Sequence, residues 1–458
     1  MTALSSPSAD SRFGATPAVA GELFAMSWPL IFGFAAGMLG IVVDSAFLAS
    51  YGTRPVAIFT SNVPLFSLMT YAAAGCGVAA TSVLSFYLGS GDEQRASHVL
   101  INALMLGLGM IAALCLLIVL SYPIAAPWLG IGQAHYGISL RFMQLWFVGE
   151  FFQAIATIGS GLIKAYGNTR VSALLAGSSL ITRAICEVGF RLFGAPDDDT
   201  ALLVVALVNS ISWIMPALIA TKMCCGAFAP RQAWQGIPSR ALIMRLARVA
   251  LPMMVNTMWV PVAMALATAI MAREGMVAVA AYGFAMRIET AALIVVQAIS
   301  YGALPLMGRA IGAQDPARLV ALLRVAAGWV LGWGAISAVV FWAFGGLVLG
   351  HVSADRDINA YLVTYIYFVP ISYGFFGLYH ISNSFFLVSG RAYLASFAYA
   401  ARYGFVFAPF CLIFGHFLGA RGVFWGIAAA NGVVGLGLFS IVCAQLRGIL
   451  AKANIANP

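Results

Sequence analysis

The chain has 458 residues, 62% hydrophobic and only 9% charged, with a formal net charge of +9 and a mean hydropathy of +0.95. Soluble domains carry about 25% charged residues, and a soluble fold of this length still exposes a large surface, so water-soluble classes are excluded and a polytopic membrane protein is expected. The seven cysteines lie mostly in apolar runs without CxxC spacing, which implies neither a disulfide framework nor a metal site.

Residues 1–21 are small and polar and lack the basic-then-apolar order of a cleavable signal; they are expected to form a cytoplasmic tail. About twelve apolar runs follow, each near the ~20 residues that a helix needs to cross a bilayer. They cover 23–47, 55–87, 97–120, 136–163, 172–193, 200–222, 246–271, 277–309, 320–345, 358–388, 394–415 and 421–446. Residues 224–241 read as a cytoplasmic linker and 447–458 as a second cytoplasmic tail. The run "PDDDT", with Asp197 to Asp199, falls in an outer loop and has no second copy, so a solvated loop is expected rather than an aspartate-rich metal motif. Cytoplasmic loops collect Lys and Arg. Of the 24 basic residues, 15 fall on the side of the termini and 5 on the opposite side, while Arg141, Arg183, Arg287 and Arg402 fall within spans. This asymmetry predicts that both termini are cytoplasmic. It also accounts for most of the +9 without nucleic acid, and no nucleic-acid partner is expected.

The two halves repeat. "LGSGDEQR" returns as "IGAQDPAR", with Gly89/Gly312, Asp92/Asp315 and Arg95/Arg318 each 223 residues apart. The same offset pairs Pro29 with Pro252, Gly52 with Gly275 and Gly167 with Gly390. The chain therefore reads as two six-helix lobes, 22–223 and 242–446. An even number of spans per copy makes the repeat parallel, about an axis along the membrane normal, as in many secondary transporters.

"MSWPLIFGF…GIVVDSAFLASYG", "SFYLGSGDEQRASHVL", "KAYGNTR" and "AAYGFAMRIETAALIVVQAISYGALPLMGRAIGAQDPAR" together resemble the multidrug and toxic compound extrusion (MATE) family, bacterial type, from about Glu22 onward. The resemblance implies an all-α integral membrane fold of 12 transmembrane helices in a V-shaped pair of lobes. It further implies export of small molecules, often organic cations, in exchange for H+ or Na+, and a coupling-ion site around an Asp of the first helix. The expected place is the bacterial inner (plasma) membrane. The expected partners are a small-molecule substrate and membrane lipids, with the chain acting as a monomer. Enzyme activity, a cofactor and a resident metal are not expected; the coupling ion is H+, with Na+ the less favoured alternative.

Ionisable groups inside spans are rare and face a cavity or a partner. Asp44 is the strongest candidate. Its repeat counterpart is Ala267, so the scaffold does not demand a carboxylate there, and it matches the family's first-helix Asp. A carboxyl group near the apolar interior suits reversible protonation. Glu187 lies four residues after Arg183, a spacing that puts both on one helix face. By resemblance they stand where the Na+-site branch carries Asp and Asn, and a guanidinium in the place of a metal cation favours H+ coupling. A self-contained Arg183–Glu187 ion pair is the structural alternative. Glu150 is expected to line the first-lobe cavity with Gln153, or to pair with a stray arginine. Arg287 and Glu289, two apart, point to different sides and are read as structural or gating groups; Arg402 meets a polar substrate group or one of these acids. In the tenth span, Tyr361 to Tyr367 read as interfacial anchors, whereas Tyr373 and Asn383 are pocket candidates. The expected activity is antiport of cationic or zwitterionic organic compounds by alternating access. A lipid-linked oligosaccharide flippase of the same superfamily is the alternative, resting on Arg183, Arg287 and Arg402 as a diphosphate site.

Overall fold

The computed structural model describes residues 15–193, 197–227, 239–257, 259–352 and 356–456. The first half is six long helices: α1 (Ala15–Ala49), α2 (Thr53–Gly89), α3 (Glu93–Trp128), α4 (Gln133–Ala165), α5 (Thr169–Phe193) and α6 (Asp198–Lys222). The repeated acidic motif explains itself as a helix start. Asp92 accepts a hydrogen bond from the Arg95 backbone N–H at 2.9 Å, and Asp315 accepts one from the Arg318 backbone N–H, also at 2.9 Å. Each side chain satisfies an amide that the first helical turn leaves without a partner. The aspartates expected in an outer loop instead open α6. Asp198 and Asp199 lie in its first turn, where negative charge suits the helix dipole, and Asp199 pairs with Arg54 at 2.9 Å.

The second half has the same order but with broken helices: α7 (Arg240–Thr257), α8 (Trp259–Ala272), α9 (Met276–Gly312), α10 (Pro316–Val352), α11 (Arg356–Phe368), α12 (Tyr373–Val388), α13 (Ala392–Tyr399), α14 (Ala408–Leu418) and α15 (Ala420–Ala456). The tenth span, read as one run over 358–388, is interrupted by a 3-10 turn at Pro370–Ser372, where proline cannot supply the backbone N–H. The eleventh, read over 394–415, contains a π-helical stretch at Ala400–Phe407; α7 and α8 lie in the seventh span on either side of residue 258, which is outside the described residues. Eleven helices are long and apolar enough to cross a membrane, and the shorter apolar helix Val262–Ala272 contributes to the twelfth span. Residues 447–456, expected as a tail, continue α15 as helix. A π turn over Met223–Ala227 extends α6 into the expected linker; 228–238 and 1–14 lie outside the described residues.

Within the first half, α4 packs against α2 and α6, and α5 against α1 and α6; within the second, α12 packs against α9, α10 and α15. The halves meet through α1 and α2 on one side and α7, α9 and α10 on the other. The repeated glycines make the tightest crossing. A Cβ on Gly89 would collide with the Arg309 backbone, and one on Gly312 with the Phe86 carbonyl oxygen. Around this crossing Arg309 Nη2 donates to the Ala165 carbonyl at 2.6 Å. Ser82 donates to the Leu387 carbonyl at 3.1 Å, and Arg318 pairs with Glu22 at 2.6 Å. All of these lie toward the helix ends that carry the chain termini. At the opposite end α8, α11 and α14 pack chiefly on other elements of the second half. The halves are thus joined at one end and part at the other.

Overpacking a tight contact costs about 1–3 kcal/mol. Gly312→Val should therefore lower the thermal unfolding midpoint of the purified protein in detergent. Gly328→Ala, at a helical site where a Cβ meets nothing within 4 Å, should leave the midpoint unchanged or raise it.

Candidate functional site

Asp44, on α1, is 1% exposed. Its Oδ2 accepts a hydrogen bond from Arg183 Nη1 on α5, and Arg183 Nη2 donates to Asn209 Oδ1 on α6 at 2.5 Å. The guanidinium therefore ties three helices together. Small residues admit it: a Cβ on Gly40, one turn before Asp44, would already lie 3.8 Å from Arg183 Nη1. Glycine at 149 on α4 likewise lets the Asn209 amide approach that helix closely.

The Arg183–Glu187 ion pair, the structural alternative, does not form; Arg183 pairs with Asp44 instead. Sharing a helix face permits an i,i+4 contact, but the same guanidinium can reach across helices. There it satisfies a buried carboxylate and a buried amide at once. Glu187 turns toward Asp44, within hydrogen-bonding reach of its carboxyl group. Asp44 Oδ1 and both Glu187 carboxyl oxygens have no hydrogen-bond partner. Ionised carboxylates only accept hydrogen bonds, so a bond between these two would require a proton on one of them. The site brings a guanidinium together with two carboxyl groups.

Glu150, on α4, is buried but meets no arginine directly. It accepts from Trp146 Nε1, one turn earlier, at 2.9 Å and from the Thr70 hydroxyl of α2 at 3.3 Å. Gln153 Nε2 donates to the same hydroxyl at 3.4 Å, so Gln153 joins the Glu150 network, and neither residue is on the wall of the first-half cavity described below. Three buried acids, Asp44, Glu150 and Glu187, thus lie within electrostatic reach of Arg183.

In the second half Arg402 sits buried in the π-helical stretch. Its Nη2 donates to Asn431 Oδ1 at 2.6 Å, and Asn431 Nδ2 donates to the Ser372 hydroxyl at 2.9 Å. The guanidinium lies over the rings of Tyr403 at 4.3 Å, Phe376 at 4.6 Å and Tyr379 at 5.4 Å. Glu289, buried on α9, feels the Arg402 charge without forming an ion pair, and its Oε2 has no partner. The Arg183–Asn209 bond is thus repeated as Arg402–Asn431. The two residues stand 219 and 222 positions after their counterparts, so the 223 offset does not align them. Arg287 is exposed on α9, so Arg183, Arg287 and Arg402 do not converge on one basic site.

Two expectations for the tenth span change. Tyr365, expected at the membrane boundary, is fully buried, as is Tyr373. Their hydroxyls bond to each other at 2.5 Å, which makes Tyr373 a core residue rather than a pocket wall. Asn383 does border a small space of about 20 Å³ with Tyr301, His380 and Tyr399. A larger cavity, about 190 Å³, lies in the first half between α1, α2, α4, α5 and α6, with Tyr301 of α9 at its wall. Lys164, one of the 15 basic residues counted on the side of the termini, lines this cavity. Its position at the very end of an apolar run gave no sign that the side chain turns inward.

The MatE family model matches residues 29–189 and 252–413, two segments that begin 223 residues apart, as the repeat does. The chain belongs to the MATE transporter family. Its curated relatives include the FAD transporter of Shewanella oneidensis, 25% identical over 359 residues that cover 78% of this chain and 79% of that one. Another is the probable multidrug resistance protein NorM of Aromatoleum aromaticum, 25% identical over 427 residues, 90% of this chain and 86% of that one. Among solved structures, the Vibrio cholerae MATE transporter VcmN in the bent form superposes with a TM-score of 0.88 at 25% identity, covering 95% of this chain and 98% of that one. The twelve-span all-helical fold expected from the sequence is the MATE fold.

Breaking a buried ion pair from one side costs about 3–5 kcal/mol because the other charge is left unpaired. Arg183→Met should therefore strongly destabilise this MATE protein. Asp44→Asn combined with Arg183→Met should recover most of that loss, as read by thermal unfolding in a double-mutant cycle.

Proposed function

We propose that this MATE transporter is a secondary-active antiporter that exports small organic compounds, cationic or zwitterionic, in exchange for H+. One observation carries the proposal: the Glu187 carboxyl lies against Asp44 while Arg183 holds the other Asp44 oxygen. That arrangement is satisfied by a proton between the carboxyls. A second proton, on Asp44 Oδ2, removes the charge that holds Arg183 and frees α1 from α5. Pro29 lies inside α1, and proline is where a long helix bends, so release of Asp44 can be passed on as a change in α1. The guanidinium occupies the position a metal cation would need beside Asp44, which supports H+ over Na+.

The 15-to-5 distribution of basic residues supports a bacterial inner-membrane protein with both termini cytoplasmic. In that orientation the halves touch on the cytoplasmic side, and the present conformation is outward-facing. Protons then enter from outside, weaken substrate binding, and leave after the halves have rocked to face inward. The flippase alternative loses support because its three arginines are not brought together.

Proteoliposomes loaded with a fluorescent organic cation test the reading. A proton gradient alone should drive transport, whereas a Na+ gradient at equal pH on both sides should not. Asp44→Asn should abolish the response to the proton gradient, and full coupling to either gradient in that variant would overturn the mechanism.

A further inference from the structure

Lys164 is the cation that the coupling site leaves unused. It lies in the last turn of α4, within a segment apolar enough to span the membrane. It forms no ion pair among the described residues; the partner it has is the Tyr301 ring of α9, with the ammonium 5.7 Å from the ring centre. A contact of that kind orients a cation but does not neutralise it. The cavity it lines has no Asp or Glu on its wall. What the wall does carry is hydroxyl groups. Ser160 on α4 and Ser172 on α5 border the cavity and bond to each other, which engages one of their two hydroxyl protons and leaves the other for a further acceptor. An ammonium, a spare hydroxyl donor and no carboxylate make a site of one sign.

We propose that this first-half cavity is an anion subsite, in which Lys164 pairs with a carboxylate or phosphate group carried by a largely apolar molecule. The volume, about 190 Å³, lies below the ~300–1,000 Å³ of a site that encloses a drug-sized ligand. The subsite thus takes the charged end of a molecule, with Leu30, Phe34, Val78 and Trp213 covering the adjoining apolar part. Tyr301 belongs to the opposite half, so rocking of the halves carries the Lys164 partner ring away and changes access to the ammonium. This deepens the transport reading and rests on it for the role of the anion as cargo.

Binding of fragments to the purified full-length protein in nanodiscs tests the subsite without requiring transport. Benzoate and phenyl phosphate should bind, and methyl benzoate should not compete with them. A charge-assisted contact is worth about a tenfold change in affinity or more, so Lys164→Gln should weaken benzoate at least that much. Lys164→Arg should restore it in part, and both variants should retain a cooperative thermal unfolding transition. Equal benzoate affinity in Lys164→Gln and the unsubstituted protein, or binding of methyl benzoate as tight as that of benzoate, would overturn the subsite. Nanodiscs of phosphatidylcholine with and without phosphatidylglycerol separate two sources of the anion. Benzoate weakened by the anionic lipid assigns the subsite to a lipid phosphate, and unchanged affinity assigns it to a soluble solute. If these fragments bind through Lys164 but proteoliposomes transport nothing, the antiport reading fails while the subsite stands.

Discussion

The α2 and α9 helices cross where neither carries a side chain, and the relation between the two halves depends on that crossing. Gly89 and Gly312 bring backbone against backbone, and the surrounding bonds run from side chains to carbonyl oxygens. A contact made of backbone surfaces has little interdigitation to unlock, unlike a core in which every side chain fills a socket. The ion pair between Arg318 and Glu22 adds a screened, partly exposed contact worth little by itself. The join is therefore close in geometry and weak in chemistry. Those are the properties needed by an interface that must hold two bundles in register and still allow them to rock.

The same repeat that makes the crossing symmetric makes the distribution of charge asymmetric. At the 223 offset Asp44 corresponds to Ala267, Glu150 to Tyr373 and Lys164 to Leu387. The three positions that give the first half its titratable groups and its free cation are filled in the second half by groups that carry no charge. What survives in both halves is the guanidinium-to-asparagine bond, Arg183 to Asn209 and Arg402 to Asn431. That bond links the fifth span to the sixth and the eleventh to the twelfth, so it belongs to the scaffold. The carboxyls around it in the first half are what the proposed antiport uses to make a structural cation part of a proton site.

Most of the fold was legible because a bilayer imposes it. Backbone groups in lipid must bond internally, so a long apolar run can only be a helix, and an even number of runs per repeat sets the parallel arrangement. The breaks were less legible. Pro370 lay inside a run whose hydropathy never falls, and the π-helical stretch around Arg402 carries no proline at all. Of the site, Asp44, Arg183 and Glu187 stood out because a charge in an apolar run is costly wherever it points. Their pairing did not, because helical spacing reports neighbours on one helix and says nothing of α1 or α6. Asn209 and Asn431 carried no charge to mark them. Lys164 did not stand out because an ammonium at the end of a span looks the same whether its side chain reaches out to water or lines a cavity in the bundle.

Burial then gives these charges different meanings. Arg402 is surrounded by Phe376, Tyr379 and Tyr403 and held by Asn431, an environment that keeps a cation without any acid bonded to it, since ring faces and an amide oxygen share the stabilisation. Its hydrogen-bond acceptor is an amide oxygen, which takes up no proton, and its Nε has no partner. Arg183 has one partner that can be neutralised and one that cannot: protonation of Asp44 removes the first and leaves Asn209 in place. The guanidinium is then retained by α6 while α1 is released. The difference between a fixed cation and a switching one comes down to which acceptor faces it, a carboxylate that can take a proton or an amide that cannot. Under the proposed H+ antiport, the first half is where proton uptake would be turned into helix movement, with the second half as the frame against which it moves.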